Sequence, residues 1–241
     1  MKHFQFWHAD PPDDVHAFMD AASDVPGFEY VRFDQQSGRE FVKKDYGSAA
    51  VSVWDALALP AMRADFLRLL LLDTYGGLYT DATYRFVGDL PAFIATAPVA
   101  QMPWWHNLVN TNYMMFHEPE HPFIRACITM LIDNVEHRRF GSVLMATGPG
   151  VINSVRCVLS PEERPGIVAM GSNEYWLRWG WEESLEVAER LIEPTEELVA
   201  AYRAMSLVKI EDLKNVAFAH VDSSHRKRDD YWYRWKGSIY I

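Results

Sequence analysis

The sequence predicts an α/β protein, an αβα sandwich built on a mostly parallel central sheet. Two observations carry this prediction. The chain opens with an alternating aromatic segment, a short helical segment and a second alternating segment, which is a β-α-β order. Further along, a helical pattern runs into a glycine pair and then into a short apolar strand. Strands that alternate with helices are typical of a parallel sheet covered on both faces.

Each predicted element has its own local signal. Residues 4–7 alternate and end before Pro11 and Pro12, so they form the first strand. Residues 13–22 form a short helix with acidic residues at its start, and residues 28–33 form the second strand. The next helix spans about 61–75, and strand 78–80 follows it. Later helices are expected over 122–136, from Val151 onward and over 182–192.

Length and composition bound the class of protein. The 241 residues, 49% of them hydrophobic, fit one domain. A formal net charge of −10 argues against a nucleic-acid binder, because such proteins neutralise phosphates. Two cysteines and the lack of a signal-peptide pattern point to the cytoplasm. The longest apolar run, residues 66–72, is too short to span a membrane, although residues 232–236 could rest on a membrane surface.

Asp65 and Arg68 are the first candidate functional residues. They stand three apart on a helix with a dense apolar face, and this spacing places their side chains on the same side of the helix. Two interpretations remain open: a surface ion pair of little energetic value, or a pair that lines a cleft.

Asp81 is the second candidate. It follows a Gly-Gly turn and a short strand, and ligands of open α/β sheets collect at the carboxyl ends of strands. A carboxylate there suits Mg²⁺ or Mn²⁺, which take oxygen ligands and bridge phosphate oxygens. The alternative is that Asp81 only caps the next turn.

The surrounding pattern resembles a known family. Ala64-Asp65-x-x-Arg68, followed by Tyr75-Gly76-Gly77-x-Tyr79-x-Asp81-Ala82-Thr83, is similar to the core of glycosyltransferases with a DXD motif, of the family 32 and capsular polysaccharide synthesis type. Shorter similarities lie outside this core, at Phe6-Trp7-His8, Asn112, His121-Pro122-Phe123, Thr147-Gly148-Pro149 and His220.

The resemblance implies a GT-A fold over residues 1–241, with a nucleotide-sugar-binding part at 1–110 and an acceptor-binding part with a closing tail at 111–241. It implies transfer of a hexose, with retention, from a nucleotide-diphosphate sugar to a hydroxyl acceptor in polysaccharide or glycoconjugate synthesis. Asp81, Arg68 and Asn112 would be the catalytic residues. The donor would be held by Trp7 on the base, Asp65 and Arg68 on hydroxyls, and Tyr79 in the nucleotide pocket.

A divalent metal, Mn²⁺ or Mg²⁺, is implied as the cofactor, bound by Asp81, Thr83 and His220. Thr83 stands where many members carry a second aspartate, and a neutral hydroxyl is a poorer ligand than a carboxylate. Lys227 belongs to a basic run at 225–228 that could cover the diphosphate, or could simply be a solvated tail that balances nearby acids.

Three other functions remain open. A glycoside hydrolase would need a second carboxylate, and Asp89 is the nearest downstream. A non-catalytic nucleotide-sugar or glycan binder would be consistent with Thr83 in place of an acid. A purely structural or interaction protein is the third. Aromatic clusters at 175–181 and 231–235 suit an acceptor glycan, but also core packing or an oligomer contact.

Overall fold

The computed structural model describes residues 1–86, 100–105, 108–109, 113–158, 167–170, 218–220, 231 and 235–241. For residues 84–86, 100–105, 108–109, 113, 167–170 and 218–220 it describes the backbone. Several predictions lie outside these residues: those for Asp89, Asn112 and Lys227, the helix at 182–192 and the aromatic cluster at 175–181.

The first part of the chain has the predicted β-α-β order. Its elements are β1 (Lys2–Phe6), α1 (Asp13–Ser23), β2 (Glu29–Phe33), α2 (Gln35–Ala56), α3 (Pro60–Tyr75) and β3 (Gly77–Thr80). Five of these six elements were predicted from the sequence, with ends that differ by one or two residues. Helix α2 was not predicted.

The remaining elements complete the sheet and add helices. They are β4 (Tyr84–Phe86), β5 (Ala100–Trp105), β6 (Leu108–Val109), β7 (Tyr113–Phe116), α4 (Pro122–Glu136), α5 (Val143–Ala146), α6 (Pro149–Val158), β8 (Ile167–Met170) and β9 (Phe218–His220). The predicted helix 122–136 is confirmed. The helix predicted to begin at Val151 begins two residues earlier at Pro149, since proline fits the first turn of a helix.

The central sheet has seven strands in the order β2-β1-β3-β7-β5-β6, with β8 beside β5. Strands β1, β2 and β3 pair in parallel, as do β5 and β8, whereas β7 runs antiparallel to both β3 and β5. Strand β6 is antiparallel to β5. Strands β1, β2, β3, β5 and β8 therefore share one direction, which confirms the predicted mostly parallel sheet.

Helices cover both faces of the sheet at β1. Phe4 and Phe6 point to one face, where Phe6 makes an edge contact with Trp54 of α2, and α3 packs in the same core. His3 and Gln5 point to the opposite face because side chains alternate along a strand. There the His3 ring lies near the backbone of Ala22 in α1. These three layers match the αβα sandwich expected of the GT-A type.

Helix α3 is buried on all sides over residues 65–72, and apart from Asp65 and Arg68 these residues are apolar. Its buried side chains include Met62, Phe66, Leu67 and residues 69–72. A helix that is hydrophobic on all sides is typical of a buried core element. No helix in the described ranges combines the length and apolarity that a bilayer span requires.

Candidate active site

A double-glycine turn fixes the position of β3 and of the residue that follows it. Gly76 and Gly77 both have positive φ, at 61° and 98°. A Cβ on Gly77 would lie 2.6 Å from the backbone oxygen of Lys2 in β1, so a larger residue would push β1 and β3 apart. The turn therefore allows β3 to pair closely with β1. Asp81 comes directly after β3, at its carboxyl end.

Asp81, Arg68 and Asp65 form one connected ion-pair group. Arg68 donates from Nη1 to Oδ1 of Asp65 over 2.9 Å, and from Nη2 to Oδ1 of Asp81 over 3.0 Å. The Arg68 side chain is 4% exposed, whereas that of Asp81 is 34% exposed. The interpretation of Asp65 and Arg68 as a surface ion pair is wrong, because packing of α3 into the core buries both residues.

Asp65 has both carboxylate oxygens engaged by protein donors. Arg68 bonds Oδ1, and the Thr147 hydroxyl donates to Oδ2 over 3.0 Å. Burial raises the pKa of Asp65 above its ordinary value, while Arg68 and Thr147 act in the opposite direction. This arrangement suits a residue that holds Arg68 and Thr147 in place. A hydrogen bond from Asp65 to a ribose or sugar hydroxyl remains a prediction.

Arg68 is held by an aromatic ring as well as by two acids. Its guanidinium lies 4.6 Å from the centroid of the Tyr79 ring, and Tyr79 is 1% exposed. Burial alone would lower the pKa of Arg68, but Asp65 and Asp81 outweigh it and the pKa lies above its ordinary value. Burial also raises the pKa of Tyr79, so its phenol stays protonated. The site thus presents one permanent positive charge behind Asp81.

On the opposite face of the sheet, a buried polar network lies under the end of β3. Gln5 donates from Nε2 to the Thr80 hydroxyl over 2.9 Å and to the backbone oxygen of Asp81 over 3.3 Å. The Tyr30 hydroxyl donates to Oε1 of Gln5 over 2.8 Å. Nε2 of His3 lies 2.8 Å from the Thr80 hydroxyl. Burial lowers the pKa of His3 to about 3, so its ring is neutral.

Trp7 follows β1 and packs partly into a small apolar cluster of Val15, Met19 and Ala82. Next to it, at the carboxyl ends of β1 and β2, lies an open cavity of about 600 Å³. The cavity is lined by His8, Ala9, Asp10, Arg32, Asp34, Gln35, Gln36 and Arg39. Trp7 and Asp81 are therefore linked through Ala82, which places the predicted base-binding and metal-binding residues at the same edge of the sheet.

The predicted metal ligands come together in part. Thr83 is 5% exposed, and β9 pairs with β4 so that His220 lies opposite Tyr84, the residue after Thr83. Asp81 has the chemistry of an oxygen ligand at a strand end. Among the side chains that the structure describes, however, no group of three His, Cys, Asp or Glu residues could hold a metal. The His220 side chain is not one of them.

Several residues of this site were not predicted from the sequence as site residues. Gln5, Tyr30, His3 and Thr80 form the network under Asp81, and Thr147 bonds Asp65 across 82 positions of the chain. The one local signal was the pattern of β1, in which His3 and Gln5 alternate with Phe4 and Phe6. Two polar residues on one face of a short strand indicate a buried network when helices cover both faces.

Comparison with known proteins bears on this site directly. Residues 11–99 match the family model described as a glycosyltransferase sugar-binding region containing a DXD motif. The matched segment contains Asp65, Arg68, Tyr79, Asp81 and Thr83. The resemblance predicted from the sequence is confirmed. The match does not test the narrower assignment to family 32.

A curated relative agrees with this match. The chain is 28% identical over 130 residues to inositol phosphoceramide mannosyltransferase 3 of Schizosaccharomyces pombe, an alignment that covers 52% of this chain. It covers 35% of that protein, so this chain spans about a third of the relative's length.

The solved structures that are similar to this chain are more distant in sequence. The PaToxG glycosyltransferase is similar with a TM-score of 0.47 and 16% identity, over 98% of this chain and 87% of that one. The ligand-free glycosyltransferase domain of the YGT toxin has a TM-score of 0.41 and 11% identity, over 64% and 55% of the two chains. At these TM-scores the similarity does not by itself establish a shared fold.

Proposed function

We propose that this chain is a glycosyltransferase that moves a hexosyl group from a nucleotide-diphosphate sugar to a hydroxyl acceptor. The observation that carries the proposal is the hydrogen bond from Arg68 to Asp81. The buried Arg68 contacts Asp65 and Tyr79. It also donates a hydrogen bond to the partly exposed carboxylate of Asp81 at the carboxyl end of β3. Ligands of α/β sheets bind at such edges. The family match over residues 11–99, which include Asp81, supports sugar transfer as the reaction at this edge.

In the proposed reaction the bond between the anomeric carbon and the diphosphate oxygen breaks, and the nucleoside diphosphate leaves with the electron pair. The acceptor oxygen bonds to the anomeric carbon, and its proton is released to solvent or to the leaving phosphate. Arg68 contributes a fixed positive charge near the leaving group, and fixed charges need no reorganisation during the reaction. We expect retention of configuration, which NMR of the product would test.

Asp81, with Thr83 and His220, is the proposed binding set for Mn²⁺ or Mg²⁺. The pairing of β4 with β9 supports this set, because it brings the backbone of His220 beside the segment that contains Asp81 and Thr83. When bound, the metal would neutralise charge on the diphosphate. Arg68 already occupies one oxygen of Asp81, so the protein would hold the ion with few ligands of its own and rely on phosphate oxygens for others.

Donor binding follows from the remaining residues at the same edge. Trp7 is proposed to stack on the base, because it stands beside the cavity at the ends of β1 and β2. Asp65 and Arg68 are proposed to order the site around the sugar, and Tyr79 supports Arg68 from below. Asn112 near the sugar and Lys227 over the diphosphate complete the proposal from the family resemblance. Polysaccharide or glycoconjugate synthesis in the cytoplasm or at a membrane surface is the proposed setting.

A non-catalytic binder of nucleotide sugars is the second candidate. The observation in its favour is Thr83, a buried neutral residue at the position of the second aspartate of the DXD motif. Such a protein would bind the donor but release neither nucleoside diphosphate nor a transferred sugar when metal and acceptors are supplied.

The test is a thermal-shift and turnover screen with UDP-, GDP- and CDP-sugars, each with and without Mn²⁺. A mannosyl donor is included because the relative is named a mannosyltransferase. We expect one donor to raise the melting temperature only when metal is present, since a ligand that binds the folded state stabilises it. Asp81→Ala should abolish this shift and the turnover.

Asp133→Ala is the matched control. Asp133 is also paired with an arginine, Arg139, over 2.7 Å, but it lies near the end of α4. This variant should keep both the shift and the turnover. Full donor binding and turnover by Asp81→Ala would refute the proposed site, and donor binding without turnover by the unmodified protein would favour the binder.

A further inference from the structure

The network beneath β3 connects three secondary-structure elements to the backbone of Asp81. Gln5 of β1 lies at its centre, with Tyr30 of β2 on one side and Thr80 of β3 on the other. Gln5 and Thr80 are 0% exposed. A buried amide is costly unless its donors and acceptor are bonded. Here the Gln5 amide oxygen accepts one hydrogen bond, and its nitrogen donates two.

The donors of this network can be assigned in one consistent direction. Tyr30 donates to Gln5, and Gln5 donates to the Thr80 oxygen. The Thr80 proton is then available for Nε2 of His3, whose ring lies near the backbone of Ala22 in α1. This order requires a neutral His3 ring, in agreement with its burial. Every link places the Gln5 nitrogen toward β3, where its second proton reaches the Asp81 carbonyl.

Asp81 is therefore held from both faces of the sheet. On one face Gln5 bonds its backbone carbonyl, and on the other Arg68 bonds its carboxylate. A carboxylate anchored by Arg68 alone could pivot at its backbone when a ligand competes for the guanidinium. A backbone carbonyl fixed by Gln5 removes that freedom.

We infer that Gln5, oriented by Tyr30, is a positioning residue that fixes the backbone of Asp81 and with it the direction of the Asp81 carboxylate toward a donor. The role in donor binding rests on the proposed function. The hold on the backbone does not, since it is a property of the protein without ligand. An apolar side chain in place of Gln5 would fill the same space but would not hold the backbone at residues 81–83.

The test uses two variants and one matched control. Gln5→Met keeps the length of the side chain and removes its hydrogen bonds. Tyr30→Phe removes one hydroxyl on the side of Gln5 that is remote from Asp81. Tyr46→Phe is the control, because its hydroxyl is also partly buried and bonded, to the Leu70 carbonyl and to Asp73, away from this network.

Two measurements separate positioning from general stability. Amide hydrogen exchange of the ligand-free proteins should become faster at residues 81–83 in both variants, while α3 and α4 exchange as before. The donor identified with Mn²⁺ should bind about 10-fold more weakly to Gln5→Met, because binding would then also have to order residues 81–83. Tyr30→Phe should show a smaller loss. Tyr46→Phe should change neither measurement, although it lowers the melting temperature.

If both variants lower stability as Tyr46→Phe does and leave the exchange of 81–83 and the donor affinity unchanged, Gln5 is only a core residue and the inference is wrong. If the unmodified protein binds no donor, the proposed function fails, while the exchange measurement still decides whether Gln5 holds Asp81.

Discussion

The single positive charge of Arg68 is shared between two carboxylates, those of Asp65 and Asp81, which differ in exposure. Asp65 is buried, so its charge depends on Arg68, whereas Asp81 is 34% exposed and partly solvated. A ligand that draws Asp81 away from Arg68 leaves the buried pair intact. The pair with Asp65 therefore acts as the permanent anchor, and the contact with Asp81 is the exchangeable one.

Removal of Arg68 should therefore destabilise the protein strongly. Arg68→Met leaves Asp65 buried without a counter-charge, and breaking a buried pair in this way costs about 3–5 kcal/mol of unfolding free energy. Urea unfolding measures this cost. The double variant Asp65→Asn/Arg68→Met should recover most of the loss, because no unpaired charge remains. Arg39→Met, which breaks the exposed pair with Asp55, is the control and should have a much smaller effect.

His3 gives the protein a pH dependence that can be isolated. Its pKa is about 3 in the folded state because of burial, against 6.5 ordinarily, so the unfolded state binds more protons between these values. The contribution of His3 to the free energy of unfolding should be fully present above pH 6.5. Below pH 6.5 the free energy of unfolding should fall by about 1.4 kcal/mol for each pH unit. Urea unfolding at pH 7.5, 6 and 5 measures this slope. His3→Gln should flatten it, and an unchanged slope in that variant would contradict the assignment.

For individual residues, the sequence predicted the place in a helix or strand better than the side chains that each residue contacts. The spacing of Asp65 and Arg68 placed them on one helix face, and the strand pattern placed Asp81 at a strand end. The contact of Arg68 with Asp81 was not predictable, because it depends on how α3 packs against β3. The bond from Thr147 to Asp65 joins residues 82 positions apart, a separation at which local patterns carry no information.

Among the secondary-structure elements and their connections, the turn between α3 and β3 restricts the residue type most clearly. Gly77→Ala should destabilise the protein for two reasons, a positive φ of 98° and a close approach to the backbone of Lys2. Gly27→Ala is the matched control, because Gly27 has φ of 84° but no atom within 4 Å of the added Cβ. Both should lose about 1–2 kcal/mol of unfolding free energy from the positive φ. Urea unfolding should show a clearly larger loss for Gly77→Ala, and equal losses would mean that β1 accommodates the methyl group.

Helix α2 shows where the sequence pattern failed. It consists of two helical segments that meet at Gly47, whose φ is 79°. Gly38 lies against Trp54 and Arg39 pairs with Asp55, although each pair is 16 positions apart, about 24 Å along a straight helix. The segments thus turn back on one another. Two short segments with a break give a weak periodic signal, although the capping box of Asp34 and Ser37 marked the beginning.

Across the whole molecule, the last described residues are built into the core between α2 and α3. The Ala58 amide donates to the Ile239 carbonyl over 3.1 Å, and Tyr240 forms a bridge with Leu57. Ile239 is 6% exposed and belongs to the main hydrophobic cluster. Strand β9 is fixed by its pairing with β4. Strand β9 and residues 239–241, which lie before and after the predicted basic run at 225–228, are therefore both attached to the rest of the protein.

This anchoring predicts that residues 239–241 unfold with the rest of the protein. Ile239→Ala should cost about 2–4 kcal/mol, as expected for a large-to-small change in a core. Ile241→Ala is the matched control: Ile241 is 72% exposed, and surface substitutions stay within about 0.5 kcal/mol. Urea unfolding followed by far-ultraviolet circular dichroism and by tryptophan fluorescence measures both variants. If the two probes coincide and only Ile239→Ala shifts the midpoint, the segment is part of the cooperative core. A shift of neither variant would mean that residues 239–241 detach before the sheet unfolds.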